Sequence, residues 1–227
     1  MNKIALMTSL CMLSCLAPAL AQDWSDVQVD ANLQVTLPTG YVASDTLGVK
    51  YFLGELEHAA IILNKVESSN PNHYADVDEL NRGYDRFLRG MTSRFERPEV
   101  VTNEEIQIGK LIGRQLKVQF EALEETMVTQ GVVVILKDIT YSAQFVYPLQ
   151  EEEVINASKD LFFGSIRFSE ELDHHDQLTP GSIMGLSPYQ QGELLGQLFV
   201  YLIIPITLLI AWIIRRKRKQ TQPHQEG

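Results

Sequence analysis

The chain has 227 residues and a formal net charge of −10 at pH 7, with 45% hydrophobic and 21% charged residues. Its two cysteines, Cys11 and Cys15, both fall within the first 21 residues, so a chain cleaved after Ala21 has none. That excludes disulfides, thiol nucleophiles and thiolate metal sites. Between Gln22 and Glu193 lie 28 acidic and 13 basic residues, a balance that repels nucleic acid and anionic lipid headgroups.

Met1-Asn2-Lys3 is a short positive start, Ile4 to Leu16 is apolar apart from Thr8, Ser9 and Ser14, and Ala19-Leu20-Ala21 offers the small residues a signal peptidase reads. Residues 1–21 are therefore expected to be a signal peptide. The alternative is a lipoprotein signal at Leu13-Ser14-Cys15, which would leave Cys15 acylated at the new N-terminus.

An extracytoplasmic domain is expected over residues 22–168. Leu33 to Leu37 alternates with period two and ends on Pro38-Thr39-Gly40, a strand followed by a turn. Leu47 to Leu53 and Ala59 to Val66 read as two further strands. Asp76 with Glu79 forms a capping box, and Val77, Leu80, Tyr84, Phe87, Leu88, Met91 and Phe95 recur at helical spacing. This predicts an amphipathic helix of about five turns with Arg82, Arg86 and Arg89 on its outer side, ended by Arg97-Pro98. Strands are expected at Glu104 to Ile108, Leu111 to Phe120, Thr126 to Leu136 and Ile139 to Tyr147. The last two form a hairpin around Lys137-Asp138, with Gly131 as a bulge. Glu151-Glu152-Glu153 opens a second helix with Val154, Ile155, Ala157, Leu161 and Phe162 on its apolar side, and Ser165 to Phe168 is a closing strand. Many strands in hairpin-like order with few helices give an α+β fold, an antiparallel sheet flanked by helices.

A polar stalk is expected over residues 169–187, then a membrane helix with its juxtamembrane extension over 188–214, and a basic cytoplasmic tail over 215–227. Ser187-Pro188 reads as a helix N-cap followed by proline in the first turn. Leu198 to Ile214 carries no charge, and extension back to Leu194 reaches the length of about twenty residues that crosses a bilayer. Pro205 bends the span, and Trp212 suits the headgroup layer. Arg215, Arg216, Lys217, Arg218 and Lys219 hold the C-terminus on the cytoplasmic side, which puts the N-terminal domain outside the membrane, in the periplasm of a Gram-negative cell.

Three stretches of this chain resemble the PsbP-like group, which includes periplasmic DcrB-type proteins. They are Val35-Thr36-Leu37-Pro38-Thr39-Gly40-Tyr41, the helix after residue 76, and the block from Asn156 to Phe168. The resemblance spans roughly residues 30 to 168. It implies a curved antiparallel sheet flanked by helices and an accessory or binding role outside the cytoplasm, with the C-terminal membrane helix added to the usual pattern.

No nucleophile elbow, phosphate loop, dinucleotide fingerprint or zincin helix occurs in the sequence. Asp173, His174, His175 and Asp176 form the one dense group of metal-ligating types, although a flexible stalk would not hold them in place. His58 and His73 are candidates to meet carboxylates such as Glu55 or Glu57. The three helix arginines are read as balancing nearby carboxylates, and Tyr141, Phe145 and Tyr147 as one core-facing strand side. The expected function is a membrane-anchored binding or accessory module of the cell envelope, non-enzymatic and without a cofactor. Its partners are the membrane, through residues 194–214, and another envelope protein or small ligand. The alternative is a hydrolase or metal-dependent enzyme whose site combines His58 or His73 with nearby carboxylates.

Overall fold

Period-two alternation of apolar residues puts most of the chain into sheet. The computed structural model describes residues 23–46, 48–68, 72–122 and 124–179. Among the described residues ten strands form two antiparallel sheets. The smaller contains β1 (Trp24–Gln28), β2 (Leu33–Pro38) and β10 (Arg167–Phe168), with β2 in the middle. The larger contains β3 (Val42–Thr46), β4 (Val49–Glu55), β5 (Ala60–Glu67), β6 (Glu96–Ile108), β7 (Leu111–Ala122), β8 (Glu125–Ile135) and β9 (Ile139–Pro148). Its spatial order is β3-β4-β5-β9-β8-β7-β6. Helices α1 (Val77–Thr92) and α2 (Asn156–Gly164) complete the expected α+β architecture.

The core lies in two layers because both faces of the large sheet are apolar. On one face α1 buries Leu80, Tyr84, Phe87, Leu88 and Met91 against Leu116, Val118, Val133 and Ile135. On the other, Phe52, Ile61, Leu63, Tyr141, Phe145 and Tyr147 meet Leu33, Val35 and Leu37 of the small sheet and Phe162 of α2. Tyr141, Phe145 and Tyr147 are thus core residues, each no more than 2% exposed. The strand alternation that predicted β2 is the one that points Leu33, Val35 and Leu37 inward.

Local chemistry sets the element ends. Asp76 caps α1 by accepting from the Glu79 amide at 2.8 Å, while Glu79 reaches back one residue further than expected, to the Ala75 amide at 2.8 Å. The helix stops at Thr92, short of Phe95, whose ring stacks on Phe120 at 4.1 Å. Arg97-Pro98 does not terminate a helix; it sits in the long edge strand β6, at a register shift between Glu96 and Glu99, with Arg97 at a φ of 48°. An edge strand tolerates the missing proline donor, and the irregularity absorbs it.

Four further expectations need correction. Gly131 is not a bulge: β7 and β9 keep unbroken register past it, and a side chain there would put its Cβ 2.8 Å from the Ala143 carbonyl oxygen. The second helix starts at Asn156, after a 3-10 turn at Leu149–Glu151, and Val154 (63%) and Leu161 (46%) point outward. Strands β1 and β3 were not expected at all. The fourth correction concerns the stalk. Residues 169–179 lie on the domain: Ser169 N–H donates to Asn32 O, Lys137 N–H to Asp176 O and Thr179 N–H to Tyr74 O, and Gln177 is fully buried. A polar composition suggested solvent exposure, but these residues find partners at open backbone groups. Among the described residues no helix is long and apolar enough to cross a membrane. The signal peptide, the rest of the stalk, the membrane helix with Pro205 and Trp212, and the basic tail lie outside the described residues.

Candidate functional site

His58 sits in the β4–β5 hairpin, half-buried, with Nδ1 3.3 Å from Glu151 and Nε2 3.9 Å from the exposed Glu57. His73 is exposed and follows β5, beside Asn72, whose N–H donates to Lys137 O in the β8–β9 turn. The two histidines therefore flank opposite ends of β5, an eight-residue strand about 23 Å long at a rise of roughly 3.3 Å per residue. The fold does not bring them into one site. His58 does meet carboxylates, with Glu151 the nearer of them.

The arginines of α1 do not converge either. Arg82 pairs with Glu79 at 3.6 Å, one helical turn away, and Arg89 is exposed. Arg86 reaches the Tyr74 hydroxyl, whose own pKa is raised, chiefly by burial.

Two clusters of charged and phenolic groups do assemble, and each ties layers together. In the first, Asp30, at the β1–β2 turn, accepts from the amides of Asn32 (2.8 Å) and Leu33 (3.0 Å), from Tyr141 Oη (2.7 Å) and from Lys65 Nζ (2.9 Å). Lys65 also pairs with Glu67 at 2.7 Å. Burial alone would raise the Asp30 pKa, but the bonds from Lys65, Tyr141 and Asn32 outweigh it and hold the carboxyl below its ordinary value. Burial pulls the Lys65 pKa down, and its two carboxylate partners more than restore it. Tyr141 is raised by burial and by donating to Asp30.

In the second cluster Glu152 accepts from Lys117 of β7 at 2.5 Å and from Tyr147 of β9 at 3.3 Å, with Lys159 of α2 at 3.8 Å. The Lys117 bond lowers the Glu152 pKa more than burial raises it, while burial and the Glu152 charge push Tyr147 up. Lys159 is only 8% exposed and lies 5.6 Å from the Tyr147 ring centre. Neither cluster is legible in the sequence, since Asp30 and Tyr141 lie 111 residues apart and Lys117 and Glu152 lie 35 apart.

The structure brings together three of the four residues of the candidate metal group, Asp173, His174 and His175. His174–Asp176 forms a single 3-10 turn with a reciprocal cap: Asp173 Oδ1 accepts from His175 N–H at 2.7 Å, and Asp176 Oδ2 accepts from Asp173 N–H at 2.9 Å. One potential ligand atom each from Asp173, His174 and His175 lies within 4.8 Å of the others, and both histidines are exposed. A separate surface hollow of about 500 Å³ lies beside α2 and the small sheet, with Asp26, Thr36, Asp160, Ser165 and Arg167 on its walls. Thr36 donates to Asp26 there at 2.7 Å, and Arg167 to the Gly164 carbonyl at 2.7 Å.

No protein-family model and no curated protein matches the sequence. Solved structures similar to it include cyanobacterial PsbP from Synechocystis, at 12% identity and a TM-score of 0.44, covering 69% of this chain and 98% of that one. LpqN of Mycobacterium tuberculosis, described as involved in cell envelope biogenesis, matches at 9% identity and a TM-score of 0.43, covering 66% of this chain and 92% of its own. A Pseudomonas aeruginosa protein of unknown function, described as a putative regulator, matches at 8% identity and a TM-score of 0.42, covering 60% and 91% respectively. One of these similar structures, the cyanobacterial PsbP, carries the name of the group that the sequence resembles.

Proposed function

We propose that the chain is a binding or accessory module of the cell envelope, exported by its N-terminal segment and held at the outer face of a membrane by its C-terminal helix. Export and anchoring rest on the two termini, above all on the five cations from Arg215 to Lys219 that follow the apolar run. The binding role rests on how the described ionisable groups are used. Asp30, Lys65 and Tyr141, and Glu152, Lys117 and Lys159, are engaged with one another across layers, and His58 and His73 stand at opposite ends of β5. Such networks perturb pKa values for structural reasons. The enzymatic alternative keeps one of its two histidine positions, since His58 meets Glu151 and Glu57, while His73 stands at the other end of β5.

Thr179 N–H bonds Tyr74 O just ahead of α1, so the last described residue lies at the end of the sheet opposite the β4–β5 hairpin. Expression of the full chain in a bacterial envelope tests the proposed export and anchoring. Membranes washed at alkaline pH should retain the chain, and protease admitted outside the inner membrane should digest the domain while sparing the C-terminal tail. Release of the chain by the wash, or digestion of the domain only from the cytoplasmic side, overturns the reading. A photocrosslinker at the exposed Val154 should then trap a defined envelope partner.

A further inference from the structure

We propose that Asp173, His174 and His175 form a binding site for a borderline divalent transition cation such as zinc. The chemistry of the set favours this class, since two imidazoles and one carboxylate suit zinc, copper or nickel, whereas magnesium and calcium prefer oxygen donors alone. The geometry is close to what coordination needs. The ligand atoms fall within 4.8 Å of one another, and the two imidazole rings have centroids 4.1 Å apart. Donors about 2.0 to 2.1 Å from a tetrahedral zinc sit about 3.3 Å from each other, so small rotations of exposed side chains complete the set.

The backbone is fixed although both histidines are exposed. The reciprocal cap between Asp173 and Asp176 closes the turn, Leu178 N–H donates to His174 O at 3.0 Å, and Lys137 N–H donates to Asp176 O at 3.0 Å. One residue further on, the buried Gln177 side chain bonds Ile112 and Ile135. The cluster thus stands on an anchored turn. Three protein ligands and the exposure of both histidines leave a position for water or for a ligand from a partner, the pattern of an open site. Asp173 uses Oδ1 for its cap, which leaves Oδ2 for the cation.

Zinc chloride titrated into the full-length, untagged chain in detergent, followed by calorimetry, tests the assignment. One zinc per chain is expected, with His174→Ala and His175→Ala each weakening binding by about tenfold or more. Asp173→Asn keeps an oxygen for the cap and removes the anionic ligand, so it should weaken zinc binding comparably while the melting temperature without zinc stays as in the parent. Saturating zinc should raise the parent's melting temperature and leave that of the His174→Ala/His175→Ala double variant unchanged. The absence of zinc binding by the parent, or equal affinity in the double variant, overturns the proposal. Equal affinity would place the ion elsewhere on the chain.

Discussion

Gln177 Nε2 lies 3.5 Å from the Tyr84 hydroxyl, and between them these two side chains close a gap in the large sheet. Pairing of β7 with β8 ends at Arg114 and Val133, so Ile112 and Ile135 beyond it need other partners. Tyr84 Oη accepts from Ile135 N–H at 3.1 Å and donates to Ile112 O at 2.7 Å. The Gln177 amide accepts from Ile112 N–H at 2.8 Å and donates to Ile112 O at 2.7 Å and Ile135 O at 3.0 Å. Gln177→Leu would leave Ile112 N–H and Ile135 O without these partners in a buried place. At about 1 to 3 kcal/mol for each unsatisfied group, a loss of roughly 2 to 6 kcal/mol is expected. Pulse proteolysis in urea should show the lower midpoint, with residues 169–179 cut first.

The same glutamine marks where sequence reading stops. Its neighbours from Ser169 to Gly185 are polar, and nothing local says that one of them fills a ladder gap some 65 residues earlier in the chain. Strand β3 was missed for a related reason, because its five residues are exposed or half-buried and show no alternation. Elements with a buried face were legible: β2, the β8–β9 hairpin around Lys137-Asp138, and α1 all follow their hydrophobic period. The Asp173 to Asp176 group was legible as a set of ligand types, while its fixed backbone depends on the Gln177 anchor and the contact with Lys137.

Gly83 should resist replacement despite its place inside a helix. A Cβ at this position would lie 2.6 Å from the Tyr74 hydroxyl, which packs across α1. Alanine gains about 1 kcal/mol in helix propensity, yet overpacking of a buried contact costs about 1 to 3 kcal/mol. Gly83→Ala should therefore be neutral to destabilising, against the usual gain. Thermal melts of Gly83→Ala alone and in a Tyr74→Ala background separate the terms: the alanine should stabilise only in the second, where the ring that lies within 3.0 Å of its Cβ is gone.

Asp30 and Glu152 make the fold sensitive to acid. Both carboxyls are held below their ordinary values of 3.8 and 4.5, so each favours the folded state above those values and loses its contribution as pH falls through the folded pKa. Asp30→Asn retains an oxygen for the Asn32 and Leu33 amides but removes the charge that Lys65 pairs with. A cost of about 1 to 3 kcal/mol at pH 7 is expected for this partly buried partner. The difference between parent and variant should shrink as the pH drops below 3.8. Melting temperatures from pH 7 to pH 3 provide the check, and a constant difference would show that the Asp30 charge is not its source.

At alkaline pH the tyrosines take over. Tyr74, Tyr84, Tyr141 and Tyr147, half of the eight in the chain, have pKa values raised first of all by burial. A raised folded value means that the fold favours the neutral phenol. Its contribution is intact below the ordinary value of 10 and is lost as pH rises toward the folded values. These four should ionise together with unfolding, giving a late, cooperative step in a near-ultraviolet titration. Tyr147→Phe tests the assignment, because it removes one phenol from that step and takes only the 3.3 Å bond to Glu152 with it. Its melting temperature at pH 7 should fall little, since Glu152 keeps Lys117, while the amplitude of the late step should drop by about a quarter. An unchanged amplitude would mean that Tyr147 ionises in the folded protein, and that the Glu152 cluster is open to solvent on the time scale of the titration.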